Sequence, residues 1–181
     1  MSDAVKQEVS KNGKEKSAPF SLRSVYCRGG FQWMSDEFDL MVSGQQLFGQ
    51  YKAAGRHLEI KEMVENIPGA KPIRSFQVTT SFEFRYLNAN IDVLFKDPEI
   101  APSEEEIQNK YVVARISSRI TADYLIEVPE NPPEEKLESW AAGNALLHCW
   151  PYWREFCHST LLRMILPVTL MPMMIIEAKK D

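Results

Sequence analysis

The sequence has little of what secretion or membrane insertion requires. Its three cysteines are an odd number without the spacing of a disulfide scaffold, which predicts free thiols in a reducing cytoplasm. The opening segment, MSDAVKQEVSKNGKEKS, has no apolar stretch that could act as a secretory signal. The most apolar run, residues 161–176, contains Arg163 and two prolines, and it is shorter than the roughly 20 residues that a bilayer span takes. We therefore expect a cytoplasmic protein with no membrane insertion.

Basic character and catalytic motifs are also missing. The formal net charge is −4, and the arginines occur singly, without the basic stripe of a nucleic-acid-binding protein. Glycine is scarce, with 8 residues, and there is no glycine-rich phosphate loop, G-x-S-x-G, HExxH or CxxC motif. These absences predict a protein with no cofactor, no nucleic-acid partner and no enzymatic activity.

What is present suits one globular domain. Hydrophobic residues make up 44% of the chain and charged residues 25%, and a chain of 181 residues can bury a single core without disulfides. Residues 1–18 are polar and rich in lysine and glutamate, which predicts a disordered tail. We expect the folded domain to cover residues 19–176, followed by a short polar end at residues 177–181.

Two segments alternate with the period of a β-strand. In residues 74–87 and 111–128, apolar side chains fall on one parity and polar ones on the other. Period two over this length predicts long antiparallel strands with one buried face and one wet face. Residues 20–34 predict another strand, with a bulge or bend at Gly29 and Gly30. Residues 38–67 are ambiguous: a short helix fits Gln45–Ala54, whereas residues 57–65 alternate like a strand.

The later part of the chain predicts helices. The S-x-x-E pattern at Ser103 indicates a capped helical turn, and the acidic pair at Glu134 favours a helix start. Proline is tolerated in the first turn of a helix, so we predict that a helix begins at Pro151 and runs to Ile165. Strands first and helices last indicate an α+β fold, with the helices packed on the apolar face of the sheet.

The segment HCWPYWREFCH, residues 148–158, could be read as chemistry. On a helix the neighbours Cys157 and His158 diverge by about 100°, and Cys149 lies about 12 Å away along the axis. A metal site needs three or four ligands at one point. We therefore interpret the cysteines as small core residues and expect no metal. An enzyme or metalloprotein that uses His148, Cys149, Cys157 and His158 stays the alternative.

Apolar residues recur at three- and four-residue spacing from Tyr152 to Ile165, which predicts a helix face that packs on the sheet. Further large apolar side chains exceed what one face can bury: Trp150, Trp153, Leu162, Met171, Met173 and Met174. A methionine-rich segment broken by prolines can repack around many partners, so these residues indicate an interaction surface.

The sequence LHCWPYWREFCHSTLLRMILPVTLMPM, residues 147–173, resembles the core of SecB, the bacterial protein-export chaperone. The residues that match its helix entry and crossover loop are Pro151, Tyr152, Arg154, Glu155, Pro167, Leu170 and Pro172. The long acidic lead-in is more similar to the SecB-like chaperones of toxin–antitoxin pairs. The second helix and the SecA-docking tail of the export chaperones have no counterpart, which argues against classical export.

The resemblance implies a SecB-like four-stranded antiparallel sheet in a dimer or tetramer. It also implies an ATP-independent chaperone that holds unfolded polypeptide, either a preprotein or an antitoxin, in a hydrophobic groove. We predict that the groove is lined by Trp150, Tyr152, Trp153, Phe156, Leu162, Ile165, Leu170, Met171, Met173 and Met174. The alternative is a non-catalytic oligomeric assembly protein whose apolar strip is a buried subunit interface.

Overall fold

The computed structural model describes residues 19–42, 45–63, 69, 73–90, 95–96, 101–128, 130, 132–169 and 171. The predicted tail at residues 1–18 and the polar end at 177–181 lie outside these residues. In chain order, the elements are β1 Phe20–Met34, β2 Leu47–Met63, β3 Ile73–Asn88, α1 Glu104–Lys110, β4 Val112–Ile126 and α2 Glu134–Arg163. Within the described ranges, neither helix is long and apolar enough to cross a membrane.

The strands form one antiparallel sheet in the order β1-β4-β3-β2. The α+β class and the four-stranded antiparallel sheet are therefore confirmed. The two segments with clear alternation, β3 and β4, are the central strands, with Phe76 opposite Tyr124 and Tyr86 opposite Ala114. The first two strands along the chain are the edges.

The sheet has a helix face, which α2 covers, and an open face on the other side. The apolar parity of β3 and β4 points to the helix face, as predicted, and is buried there. Aromatic rings fill much of this core: Phe82 stacks on Trp153 with centroids 5.5 Å apart, and Phe76 stacks on Tyr124 at 5.1 Å. The alternation therefore produces one apolar layer between sheet and helix.

The open face is wet over only part of its length. Arg28 reaches across it, with Nε donating to Thr121 Oγ1 at 3.2 Å and Nη2 donating to Gln77 Oε1 at 2.6 Å. Thr121 and Asp123, two residues further along β4, are buried, so the half of the open face around Arg28 is covered. The prediction of a wet second face holds for the other half, where Arg119 is exposed.

The predicted irregularity in β1 is confirmed by a register shift between Cys27 and Gly29. The next residue, Gly30, lies under the ring of Phe156 from α2. A Cβ atom on Gly30 would come within 2.3 Å of Phe156 Cζ. Glycine lets helix and strand approach closely at this point.

The predicted helix over Gln45–Ala54 is wrong, because β2 begins at Leu47 and continues to Met63. The strand predicted over residues 57–65 is confirmed as far as Met63, where β2 ends. Leu47 pairs with Asn88 and Met63 with Ile73, so β2 is defined along its whole length by hydrogen bonding to β3. Pairing with a long, apolar neighbour outweighs the local preference of a segment that contains glycine and alanine.

The predicted helix start at Glu134 is confirmed, but the predicted start at Pro151 is wrong. One helix runs from Glu134 to Arg163 with Pro151 in its interior. The flanking side chains of Trp150 and Trp153 are buried and hold both halves of α2 against the sheet. Pro151 and Leu147 are exposed, so water can reach the Leu147 carbonyl that proline leaves without a helical donor.

The short helix α1 has the predicted cap. Ser103 Oγ accepts from the Glu106 backbone N–H, and the Glu106 carboxylate accepts from the Ser103 N–H. This capping box fixes the helix start. The buried Ile107 packs with Leu87 and Val112 in a small second cluster at the end of the sheet.

Candidate functional site

The segment that resembles the crossover loop lies over the β2 and β3 side of the sheet. The Tyr86 hydroxyl donates to the Pro167 carbonyl and forms a hydrogen bond with Thr169 Oγ1. Burial is the main reason that the pKa of Tyr86 is raised, so the hydroxyl keeps its proton and remains a donor. A side chain buried in β3 thus anchors residues 166–169, the loop after α2.

The end of α2 is a Schellman motif with an isoleucine where glycine is usual. The Ile165 N–H donates to the Leu162 carbonyl, and the Leu166 N–H donates to the Leu161 carbonyl. Ile165 has a φ of 57°, in the left-handed region that disfavours β-branched residues. Its side chain is 80% exposed, whereas Leu161 and Leu166 are buried. The turn therefore presents one strained apolar side chain to solvent.

A cavity of about 310 Å³ lies between α2 and the loop after it. Its lining residues are Pro151, Arg154, Glu155, His158, Val168, Thr169 and Met171. It therefore unites Pro151, Arg154 and Glu155 of the helix-entry motif with Met171. The apolar side chains of Leu162 (59% exposed) and Val168 (37% exposed) are open to solvent in this part of the chain.

The predicted groove residues differ in exposure. Trp150, Trp153 and Met171 are buried, Phe156 is half-buried, and Tyr152, Leu162 and Ile165 are exposed. Leu170, Pro172, Met173 and Met174 lie outside the described residues.

They also lie on two sides of α2. The Phe156 ring covers Gly30 of β1, and Tyr152 lies one turn earlier on that side. Trp150 instead contacts Tyr51 of β2, with ring centroids 5.8 Å apart. The structure therefore does not bring all of them into one surface, and their assignment to a client groove stays a prediction.

No protein-family model matches the sequence, and no curated protein matches it. Among solved structures, the chain is similar to the Mycobacterium tuberculosis Rv1957 SecB-like chaperone in complex with a ChAD peptide from the Rv1956 HigA1 antitoxin. The two chains share 17% sequence identity with a TM-score of 0.55, over 90% of this chain and 94% of that one. The chain has a SecB-like fold. The resemblance seen in residues 147–173 is confirmed at the level of the fold.

Within the SecB-like fold, the histidines and cysteines of residues 148–158 do not converge. Cys149 and Cys157 are buried, and burial raises the pKa of each thiol to about 12. Both thiols are protonated at neutral pH, and an uncharged thiol is a poor nucleophile and a poor metal ligand. His148 Nδ1 is 2.9 Å from the Tyr124 hydroxyl, whereas His158 is exposed.

No group of three histidine, cysteine, aspartate or glutamate side chains in the described part of the chain is placed to hold a metal ion. The geometry of residues 148–158 therefore gives no support to the enzyme or metalloprotein alternative.

A charged cavity, not predicted from the sequence, lies on the open face of the sheet. It has a volume of about 490 Å³, and its lining includes Lys52, Glu83, Glu104, Arg115 and Arg119. These residues looked scattered because they belong to three strands and a helix. The alternation of the strands could have indicated this cavity, because Glu83, Arg115 and Arg119 all fall on the polar parity of β3 and β4, which faces away from the helix.

Proposed function

We propose that the protein is an ATP-independent chaperone that holds unfolded or extended polypeptide beside α2 and the loop that follows it. One observation carries this proposal: exposed apolar side chains lie at the end of α2 and in the following loop, the two segments between which the 310 Å³ cavity lies. These side chains are Leu162, Ile165 and Val168. The SecB-like fold supports the proposal, because the similar solved structure is a chaperone with an antitoxin peptide.

The chemistry of this surface suits a client without a defined sequence. Apolar contacts are not directional and contribute about 25 cal/mol for each Å² of apolar surface buried. Binding through such contacts favours unfolded chains by mass action and needs no nucleotide. The strained conformation of Ile165 is in keeping with this role, because backbone strain concentrates at functional sites.

The buried members of the predicted groove have a supporting part in this proposal. Trp150 and Met171 pack into the core beside the exposed cluster and would form the base of the groove. Trp153 stacks on Phe82 and is fully buried, so it would hold α2 in place without client contact. Tyr152 is exposed on the β1 side and would extend the surface around the helix.

The experiment is a holding assay with a chemically unfolded test client whose aggregation is followed by light scattering. The protein should suppress aggregation in proportion to its concentration, without ATP. Leu162→Lys and Val168→Lys should weaken the suppression. Met41→Lys is the matched control, because Met41 is also exposed but lies in the connection between β1 and β2. Equal activity of all three variants, with circular dichroism showing intact folds, would count against this surface.

We favour an antitoxin as the natural client over a secreted preprotein. The support is the antitoxin peptide in the similar solved structure, together with the acidic lead-in before α2. Purification of the protein from its native cytoplasm distinguishes the two clients. One small partner in fixed stoichiometry is the expected result, whereas a mixture of preproteins, or SecA, would indicate export.

We also propose that the protein associates with itself through β1. Outside the charged cavity, this edge strand carries the exposed large apolar side chains of Leu22 and Trp33. An unpaired strand edge with apolar side chains readily pairs with another copy. Light scattering after size exclusion should give a dimer or tetramer, and Trp33→Lys should shift it towards the monomer. A native oligomer that binds little hydrophobic dye would instead favour the assembly-protein alternative.

A further inference from the structure

The charged cavity on the open face lies between strands that are distant in the sequence. Lys52 on β2 pairs with Glu83 on β3, and Glu83 pairs with Ser117 on β4. Arg119 lies two residues beyond Ser117 on the same strand. All four side chains point to the open face, away from α2 and from the proposed client surface. The cavity is therefore a separate site.

The carboxylates of this cavity are already paired. Glu83 accepts from Arg115 Nε at 2.8 Å, and Glu104 accepts from Arg85 Nη2 at 3.1 Å. Lys52 and Arg119 form no ion pair with any residue that the structure describes. The hydrogen bond from Arg85, with the charges of Arg85, Lys52 and Arg115, lowers the pKa of Glu104. The cavity therefore has an excess of positive charge in a protein whose net charge is −4.

The shape of the cavity suits an extended chain. Its floor includes Gly29, Ser81 and Ser117, whose side chains are small or absent. A Cβ atom on Gly29 would meet no other atom within 4 Å, so the space above this residue is open. Phe31 lines the β1 side and is 55% exposed. A ligand here would meet hydroxyl groups below, cations on two sides and an aromatic ring at one edge.

The spacing of the two unpaired cations limits the ligand further. Lys52 and Arg119 lie two strands apart across the sheet and two residues apart along the strands. With the usual strand spacing and rise, this places their backbones roughly 12 Å apart. Carboxylates four residues apart on one side of an extended peptide are about 13 Å from each other. A nucleic acid fits less well, because it carries a phosphate at every nucleotide and would also bring negative charge beside Glu83 and Glu104, whereas a peptide can leave those positions uncharged.

We propose that this cavity binds an extended acidic segment of a partner protein, with two carboxylates in a Glu-x-x-x-Glu spacing on Lys52 and Arg119. An apolar residue of the same segment would contact Phe31. This interaction does not depend on the holding activity, because its residues lie on the opposite face of the sheet. The two surfaces can be occupied at the same time.

The test is fluorescence anisotropy with a short labelled peptide of serine and glycine that carries Glu-x-x-x-Glu and one leucine. The peptide should bind, and replacement of both glutamates by glutamine should weaken binding about tenfold, because charge complementarity provides the specificity. Binding should also weaken at high salt. A single-stranded oligonucleotide of the same length is the competing probe, and tighter binding of the oligonucleotide would overturn the proposal.

Two charge reversals locate the site. Lys52→Glu and Arg119→Glu should each weaken peptide binding about tenfold. Lys136→Glu is the matched control, because it changes the net charge equally at an exposed position on α2. Undiminished binding by the two cavity variants, or no peptide binding by the native protein, overturns the proposal. The holding assay should be unchanged in all three, so failure of one proposal is distinguishable from failure of the other.

Discussion

The phenyl ring of Phe84 lies against the backbone of Gly49, so that a Cβ atom on the glycine would come within 2.9 Å of Phe84 Cζ. Phe84 is 1% exposed, and its ring also packs edge-on against Tyr86, with ring centroids 4.8 Å apart. Thr169 Oγ1 would lie 3.3 Å from the same Cβ atom, so the loop after α2 closes the site from above. An edge strand, a central strand and the loop thus meet at one glycine.

We expect Gly49→Ala to lower the free energy of unfolding by about 1–3 kcal/mol, because the added methyl group overpacks the core. Urea denaturation measures this change. Gly143→Ala is the control: it adds the same methyl group in the interior of α2, where nothing lies within 4 Å. That variant should gain about 1 kcal/mol from the higher helix propensity of alanine. Equal effects of both substitutions would contradict the contact.

Trp153 tests whether a predicted groove residue belongs to the core. Trp153→Ala should lower the free energy of unfolding by about 3–5 kcal/mol, because it leaves a cavity beside Phe82. Trp153→Phe should lose much less, because the buried indole N–H has no hydrogen-bond acceptor among the residues that the structure describes, so its removal breaks no such bond. Chemical denaturation of both variants gives the comparison. If Trp153→Phe keeps its stability but loses holding activity, the indole contacts clients directly.

Pro151 interrupts the hydrogen bonding of α2. Replacement by alanine restores an N–H that can donate to the Leu147 carbonyl, and we expect Pro151→Ala to raise the free energy of unfolding by about 1–3 kcal/mol. Thermal unfolding followed by circular dichroism measures the change. Pro133 is the control, because it precedes the helix and its replacement restores no interior hydrogen bond. A destabilised Pro151→Ala variant would mean that the fold requires a bend at this residue.

Ile165 should have opposite effects on stability and on function. Ile165→Gly removes the left-handed strain, so we expect the free energy of unfolding to rise by about 1 kcal/mol. It also removes an exposed apolar side chain, so the proposed holding of clients should weaken. Urea denaturation and the light-scattering assay measure the two effects on one sample. A less stable variant would contradict the strain, and undiminished holding would exclude Ile165 from the client surface.

His148 should make stability depend on pH. Burial lowers its pKa below the usual 6.5, so the unfolded chain takes up a proton at a higher pH than the folded protein. The contribution of the neutral imidazole is therefore complete above pH 6.5 and is lost as the pH falls towards the lower folded-state pKa. Denaturation at several pH values should show this loss. In His148→Gln the same interval should be flatter, and an unchanged slope would assign the effect to other groups.

The fold is predictable from the sequence where a strand or a helix end has a strong local signal. β3 and β4 alternate clearly because each is central and has one face covered by α2. β2 does not alternate clearly, because small residues stand where large side chains of β3 lie close to it. Gly49 lies against Phe84, and Ala53 pairs with Phe82. The helix start at Pro151 was wrongly predicted for a similar reason, since the burial of Trp150 and Trp153 against the sheet, which favours a continuous helix, is not visible in the sequence.

The sequence named residues of the candidate site but not their arrangement. In the structure, Pro151, Arg154 and Glu155 of the helix-entry motif line a cavity together with the loop after α2, and their part in client binding stays a prediction. The sequence does not distinguish the buried Trp153 from the exposed Leu162, because both are large apolar residues and exposure depends on the packing of α2. The charged cavity could not be predicted without the strand register, because only the register brings Lys52 of β2 near the residues of β3 and β4.

The strand order also has a consequence for biosynthesis. β1 is translated first, yet its partner is β4, with Phe20 opposite Ile126 and Met34 opposite Ala114. These are the most distant pairings in the sheet, and contacts between distant residues slow folding. On the ribosome, β1 must therefore wait with an unpaired, partly apolar edge while the rest of the sheet is synthesised. A protein proposed to hold other unfolded chains thus has a strand that is itself exposed to aggregation until β4 has been synthesised.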